Sequence, residues 1–278
     1  MKILVTGGTG FLGSSTVNVL ANAGHEVTVF DISLGMDIRN SELCQEAVRG
    51  VDAVVHLAGI LGTDELFDTP QEAVEINIKG AVNIMQACVD NHARYLGVTM
   101  LTVFPSIYTS TKISNEAFAH AYHYNYGLPV THIRAFNAYG PNQAYGHGHP
   151  RKIIPALSVE GWNNVPLKIW GDGNQAVDLV SADDVGKVFL QALSAPGDEE
   201  VIDAGTGEGW TVNEVAEFVI EVTNSTAGVE HLPMRRGEKP TQVVSKKEGW
   251  EYLTDPPTLD RLDLIKAIVS YRGRELEY

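Results

Sequence analysis

Short apolar runs separated by amphipathic stretches fill the first half of the chain. The runs at 2–6, 26–30, 53–57, 94–99 and 130–134 have the length of strands. Between them, apolar residues recur at helical spacing over 11–23, 41–49, 71–91 and 108–126, as in helices that bury one face. Nearly continuous apolar strands alternating with such helices predict a doubly wound parallel sheet covered on both sides. Beyond Gly140-Pro141 the alternation weakens, and short elements such as 167–170 and 201–204 stand among loops rich in Gly, His, Asn and Pro. A smaller lobe is expected from there, with a helix over 211–223 opened by Thr211 and Glu214 as a capping box.

Composition narrows the class. The chain has 278 residues, 44% hydrophobic and 20% charged, the balance of a folded globular protein. Its 35 Asp and Glu against 20 Lys and Arg leave a net charge of −15, which argues against wrapping nucleic acid or sitting on an anionic membrane. An anionic ligand would need a local positive site. Cys44 and Cys88 both fall in helical stretches and read as small buried hydrophobes in a reducing compartment. The apolar run before Gly7 is too short for a signal-peptide core or a membrane span, so a cytoplasmic location is expected. His147-Gly148-His149, with His132, lacks a Cys or acid at ligand spacing and reads as a solvated loop, with no metal expected.

Directly after the first strand comes Gly7-Gly8-Thr9-Gly10-Phe11-Leu12-Gly13, followed at once by a helical pattern. Glycine suits a tight turn, a close approach of backbone to pyrophosphate and tight helix–strand packing, with the helix N–H groups aimed at the phosphates. Asp31 ends the second strand eighteen residues past Gly13, placed to accept hydrogen bonds from adenosine ribose hydroxyls and to repel a 2′-phosphate. No Lys or Arg lies in residues 32–38, so NAD is favoured over NADP.

Tyr108-Thr109-Ser110-Thr111-Lys112 puts a phenol and an ammonium at i and i+4, on one helix face. A nearby Lys⁺ and an oxidised nicotinamide would both favour the phenolate and lower the tyrosine pKa.

With the glycine turn, Asp31, His56-Leu57-Ala58-Gly59 and Tyr-x-x-x-Lys in this order, the chain resembles the NAD-dependent nucleotide-sugar epimerase/dehydratase family of extended short-chain dehydrogenase/reductases, over nearly its full length. Further matches are Asp37-Ile38, Glu75-Ile76-Asn77-Ile78-Lys79-Gly80, Arg134-Ala135-Phe136-Asn137-Ala138-Tyr139-Gly140-Pro141, Gly171-Asp172-Gly173, Ser181-Ala182-Asp183-Asp184-Val185, Arg236-Gly237-Glu238 and Gly249-Trp250. The resemblance implies an α/β fold: a doubly wound parallel sheet (Rossmann) with a smaller C-terminal substrate-binding lobe. Residues 1–140 would bind NAD, parts of 177–205 would return to that domain, and 141–278 would mainly form the lobe. Gly7, Gly10, Phe11, Leu12, Gly13, Asp31, Asp37, Ile38, Leu57, Ala58 and Gly59 would contact the cofactor. Tyr108 would be the acid/base. Lys112 would bind the nicotinamide ribose and tune Tyr108, and Asn77 would support the helix and a proton-relay water near Lys112. Asn137 and Arg236 would contact the nucleotide diphosphate-sugar. A homodimer through helices 71–91 and 108–126 would follow many relatives.

Two departures from the family pattern stand out. The loop that normally precedes Tyr-x-x-x-Lys is largely missing: only residues 101–107 separate Met100 from Tyr108, and Met100 falls where the catalytic alcohol is often found. Thr99, Thr102 and Ser106 are the available hydroxyls. Thr99 is favoured as catalytic, and Thr102, the alternative, is assigned to the substrate side. The family commonly has an Arg before Asp178 as a diphosphate ligand, and this chain has Val177. Losing such a charge-assisted contact costs about 1.5–3 kcal/mol, unless Arg151 or Lys152 replaces it.

The activity expected is epimerisation at C4 of a UDP-hexose through a transient 4-keto sugar. A 4,6-dehydratase would need an Asp-Glu pair after the catalytic Thr, and Met100-Leu101 or Val103-Phe104 stands there. A reductase of the same family and a catalytically weak NAD-binding protein remain alternatives.

Overall fold

The protein is described by a computed structural model over residues 1–141 and 143–277. Strands form at the apolar runs: β1 (Lys2–Thr6), β2 (Glu26–Phe30), β3 (Ala53–His56), β4 (Arg94–Thr99) and β5 (Val130–Ala135). Later come β6 (Asn137–Tyr139), β7 (Leu167–Trp170), β8 (Ala176–Ser181), β9 (Asp198–Ala204), β10 (Gly209–Thr211), β11 (Val229–Leu232) and β12 (Gln242–Val243). The α-helices are α1 (Phe11–Asn22), α2 (Ser41–Val48), α3 (Pro70–Ala73), α4 (Gly80–Asn91), α5 (Ile107–Tyr126), α6 (Ile153–Trp162), α7 (Ala182–Ala192), α8 (Val212–Thr223) and α9 (Arg261–Val269).

Six strands pair in the order β2-β1-β3-β4-β5-β9, all parallel. Successive residues supply opposite faces, which is why the runs are apolar throughout. Ile3 and Val5 join one core with Val55, Ile133 and Phe189, while Leu4 joins the other with Val54, Ile84 and Met85. Because β2 and β3 lie on opposite sides of β1, the chain reverses there, and such a switch point opens a crevice at the strands' C-terminal ends. The chain returns to this sheet through α7 and β9. The smaller lobe joins β8 to β6, β10 and β12, pairs β7 with β11, and buries Leu157, Leu179, Val215 and Ile268 beneath α6, α8 and α9.

The uniform helix expected over 71–91 is interrupted. Between α3 and α4, residues Val74–Lys79 form a wider π-helical turn, an insertion that recurs at functional sites, and Asn77 lies in it. α6 escaped the periodicity because it is buried nearly all round. The 211–223 helix has the reciprocal capping box of Thr211 and Glu214. Cys44 and Cys88 are buried and free. Among the described residues, no helix is long and apolar enough to cross a membrane.

Candidate active site

The ends of β1, β3 and β4 open onto a cleft of about 540 Å³, within the range of small-molecule sites. Its base is the turn from β1 into α1. Gly7 has φ +70°, and a Cβ there would meet Ala58 N at 2.7 Å; a Cβ on Gly13 would be driven into the Gly7 carbonyl. Only glycine fits at either place. Gly10 caps α1 without a side chain to bond its first turn, so the N–H groups there are available to an anion. Phe11 and Leu12 line the cleft beside them.

Asp31 is 8% exposed, and its carboxylate accepts hydrogen bonds from Ser33 N at 2.9 Å and Thr9 N at 3.1 Å. Burial raises its pKa, but the bonds from Ser33 and Thr9 together outweigh burial and hold it below the usual carboxylate range. Asp37, Ile38 and Arg39 also line the cleft, and Arg39 is committed to Asp37, with Nη2 2.6 Å from Oδ2. The glycine cradle, the open helix terminus and this fixed carboxylate fit a dinucleotide without a 2′-phosphate.

α5 starts at Ile107 because Ser106 caps it, accepting from Thr109 N at 3.1 Å. Tyr108 and Lys112, one turn apart, both line the cleft, with Lys112 Nζ 5.6 Å from the Tyr108 ring centroid. Burial pushes the phenol up and the Lys112 ammonium down, to about 8. The lowered phenol pKa expected from the Tyr-x-x-x-Lys spacing is therefore not produced by this chain's own groups, since burial outweighs the nearby ammonium.

Asn77 does not line the cleft but braces its wall. Its Oδ1 accepts from Ile60 N at 2.8 Å, while Nδ2 donates to Ile60 O at 3.0 Å and to Thr111 Oγ1 at 3.2 Å. Leu57, Ala58 and Gly59, which this bracing supports, do line it. A Cβ on Gly59 would meet Asn77 Oδ1 at 2.8 Å, so the glycine permits the bracing.

The three candidate hydroxyls are otherwise occupied or turned away. Thr99 reaches the cleft wall but donates its hydroxyl to Glu116 Oε2 at 2.5 Å. Thr102 is exposed and outside the cleft lining. Ser106 is buried as the cap. Met100 and Leu101 line the cleft instead.

A second cavity of about 210 Å³ adjoins the first, and Asn137 lines both. Arg236 is not brought to either. It is exposed, with Nε 2.6 Å from Asp64 Oδ1 and Nη2 3.2 Å from Asp68 Oδ1. Its neighbour Arg235 lines the second cavity, pairs with Glu238 and lies over the Trp170 ring, 4.8 Å from its centroid. Arg151 lies over the same ring at 4.6 Å and pairs with Glu160 at 2.6 Å. Lys152, Lys168 and Lys239 complete the cations around the cavity, where Val177 also points. Sequence reasoning missed Arg235. The two adjacent arginines stand at a turn closed by Glu238 N donating to the Arg235 carbonyl at 3.3 Å, and only the i, i+3 partner Glu238 marks the one that faces the cavity.

Comparison with known proteins agrees with this geometry. The chain matches the NAD dependent epimerase/dehydratase family over residues 3–105 and 101–205. The UDP-glucose 4-epimerase of Corynebacterium glutamicum is 29% identical, over 91% of this chain and 90% of the relative. The crystal structure of Thermotoga maritima UDP-glucose 4-epimerase with UDP-glucose superposes with a TM-score of 0.86 at 26% identity, covering 98% of each chain. Bacillus cereus UDP-glucuronic acid 4-epimerase, in complex with UDP-glucuronic acid and NAD, gives a TM-score of 0.85 at 26% identity, over 98% of this chain and 99% of that one.

Proposed function

From the premise that this chain belongs to the NAD dependent epimerase/dehydratase family, we propose that it is a nucleotide-sugar 4-epimerase, acting on a UDP-linked hexose or hexuronate. The observation that carries the reading is the pair Tyr108 and Lys112, which faces the same cleft as the glycine cradle of Gly7, Gly10 and Gly13. NAD, when bound, supplies the hydride acceptor for C4 and the donor that returns it.

This chain's own residues do the rest. The first-turn N–H groups of α1 hold the pyrophosphate, and the Asp31 carboxylate takes the ribose hydroxyls. Tyr108 Oη takes the proton of the C4 hydroxyl and gives it back. The Lys112 ammonium stabilises the phenolate and donates to the nicotinamide ribose. Asn77 keeps residues 57–60 and α5 in register through its bonds to Ile60 and Thr111. With Thr99 bonded to Glu116, the proton passes directly between sugar and phenol. Arg235, rather than Arg236, meets the diphosphate, beside Arg151, and Asn137 contacts the sugar.

Met100 and Leu101 line the cleft where a 4,6-dehydratase would place its acid/base pair, which favours epimerisation. A two-fold dimer through α4 and α5 belongs to the same proposal; Ile113 and Phe118 on α5 are exposed. The test is a proton NMR time course with NAD on UDP-glucose, UDP-galactose, their N-acetyl counterparts and UDP-glucuronate. New anomeric signals without mass change are expected, and Tyr108→Phe must abolish them while NAD stays bound. Loss of water would move the assignment to dehydratase, and net NADH turnover to reductase. Full activity in Tyr108→Phe would overturn the mechanism.

A further inference from the structure

The cleft and the second cavity meet at a neck whose lining is shared: Thr63, Phe104, Asn137, Lys152, Ile153 and Val243 face both. Lys152 is the one ionisable side chain of the six. It immediately precedes α6 as its N-cap residue and gives that helix no side-chain cap. Among the described residues its ammonium has no ion pair and no hydrogen bond. The arginines around it are committed, Arg151 to Glu160 and Arg235 to Glu238. Burial, and also Arg235, push the Lys152 pKa down against the opposing pull of Glu65 and Glu238. A half-buried cation without a partner is destabilising unless an anion meets it.

The position of the neck says which anion. On the reading proposed above, on which this inference rests, the diphosphate lies by Arg235 in the smaller cavity and the reacting carbon lies at Tyr108 in the larger. The neck between them holds the pyranose ring. C1 of that ring carries the diphosphate and C4 is the reacting carbon, so an anion at the neck is a substituent of the sugar. The exocyclic C6 reaches furthest from the ring, and as a carboxylate it carries the missing charge.

We infer that Lys152 selects a nucleotide sugar bearing a C6 carboxylate, a hexuronate, over the neutral hexose. One charge-assisted contact to the carboxylate accounts for about 10–100-fold in affinity. Asn137, which faces the same neck, serves hydroxyls common to both sugars and does not discriminate.

The test is calorimetric titration of the NAD-loaded protein with UDP, UDP-glucose and UDP-glucuronate. Wild type is expected to bind UDP-glucuronate at least about tenfold more tightly than UDP-glucose, a comparison that needs no variant. Lys152→Met should erase that preference and leave the affinity for UDP within about twofold, and Lys152→Arg should keep most of it. If Lys152→Met weakens UDP and both sugars equally, Lys152 holds phosphate and the inference fails, while the 4-epimerase reading stands. A wild-type preference for UDP-glucose also overturns it. Failure of UDP and of every UDP-sugar to bind overturns both readings together.

Discussion

Arg235 and Arg236 are neighbours in sequence with opposite surroundings, and replacing each by alanine separates the role of the second cavity from that of the surface. The Arg235 guanidinium lies over Trp170, is oriented by Glu238 and faces the cavity. Placed there, it offers a diphosphate charge-assisted bonds each worth about 1.5–3 kcal/mol. One such bond is a factor of roughly 10–100 in affinity. Arg236 spends its donors on Asp64 and Asp68 at the surface, where ion pairs are screened and contribute little. Isothermal titration of UDP into NAD-loaded protein should therefore show Arg235→Ala weakened about 10–100-fold and Arg236→Ala by less than about threefold. Unfolding temperatures of the two variants report whether either substitution acts through stability instead. If Arg236→Ala loses as much UDP affinity as Arg235→Ala, or more, the placement of the diphosphate beside Trp170 is wrong.

The remaining predictions test the cofactor turn and the sheet beneath it. Gly13→Ala drives a Cβ into the Gly7 carbonyl whereas Gly10→Ala meets that oxygen at 3.2 Å at an ordinary φ; fluorescence titration should show NAD affinity lost at least about 100-fold in the first and better kept in the second, and equal losses would refute the cradle geometry. His56 and His132 are buried neutral, with pKa pushed down by burial to about 3 and about 4. Because their folded pKa lies below the unfolded one, the unfolded chain binds more protons as pH falls through about 6.5, and stability is lost from there down to the folded values. Urea unfolding should show a loss of about 2 kcal/mol per histidine between pH 7 and 5, and a flat profile would mean that these imidazoles take up protons in the native protein as readily as in the unfolded chain.

Much of the first domain is legible in the sequence because a buried parallel sheet imposes two simple rules. Each strand must be apolar on both faces, and each crossover helix on one, so β1 to β5 and their helices announce themselves. The glycine turn is equally legible, since Gly7 and Gly13 are demanded by close backbone approaches that no other residue survives. The π-helical turn at Val74–Lys79 is not, because one residue of extra width leaves the apolar periodicity nearly intact while turning Asn77 toward Ile60. Nor is the fate of Thr99: a threonine at a strand end looks available until the helix above it brings Glu116 within 2.5 Å.

The positive site that an acidic chain needs for an anionic ligand was the least visible feature, for a topological reason. Its cations come from three separate places: Arg151 and Lys152 before α6, Lys168 on β7, and Arg235 with Lys239. The cation-rich stretch 235–247 supplies only two of these five, and the net charge of −15 points the other way. What assembles them is the smaller lobe, which packs α6 against β7 and brings the 233–241 segment alongside Trp170. Glu160 and Glu238 then hold two of the guanidinium groups in fixed orientation, so these acids help recognise an anion although they repel it at distance. Beyond about 8 Å at physiological salt the repulsion from the acidic surface is largely screened, and the contacts inside the cavity decide affinity. Lys152, the cation at the neck, has no ion pair or hydrogen bond among the described residues, and its charge is free for the ligand.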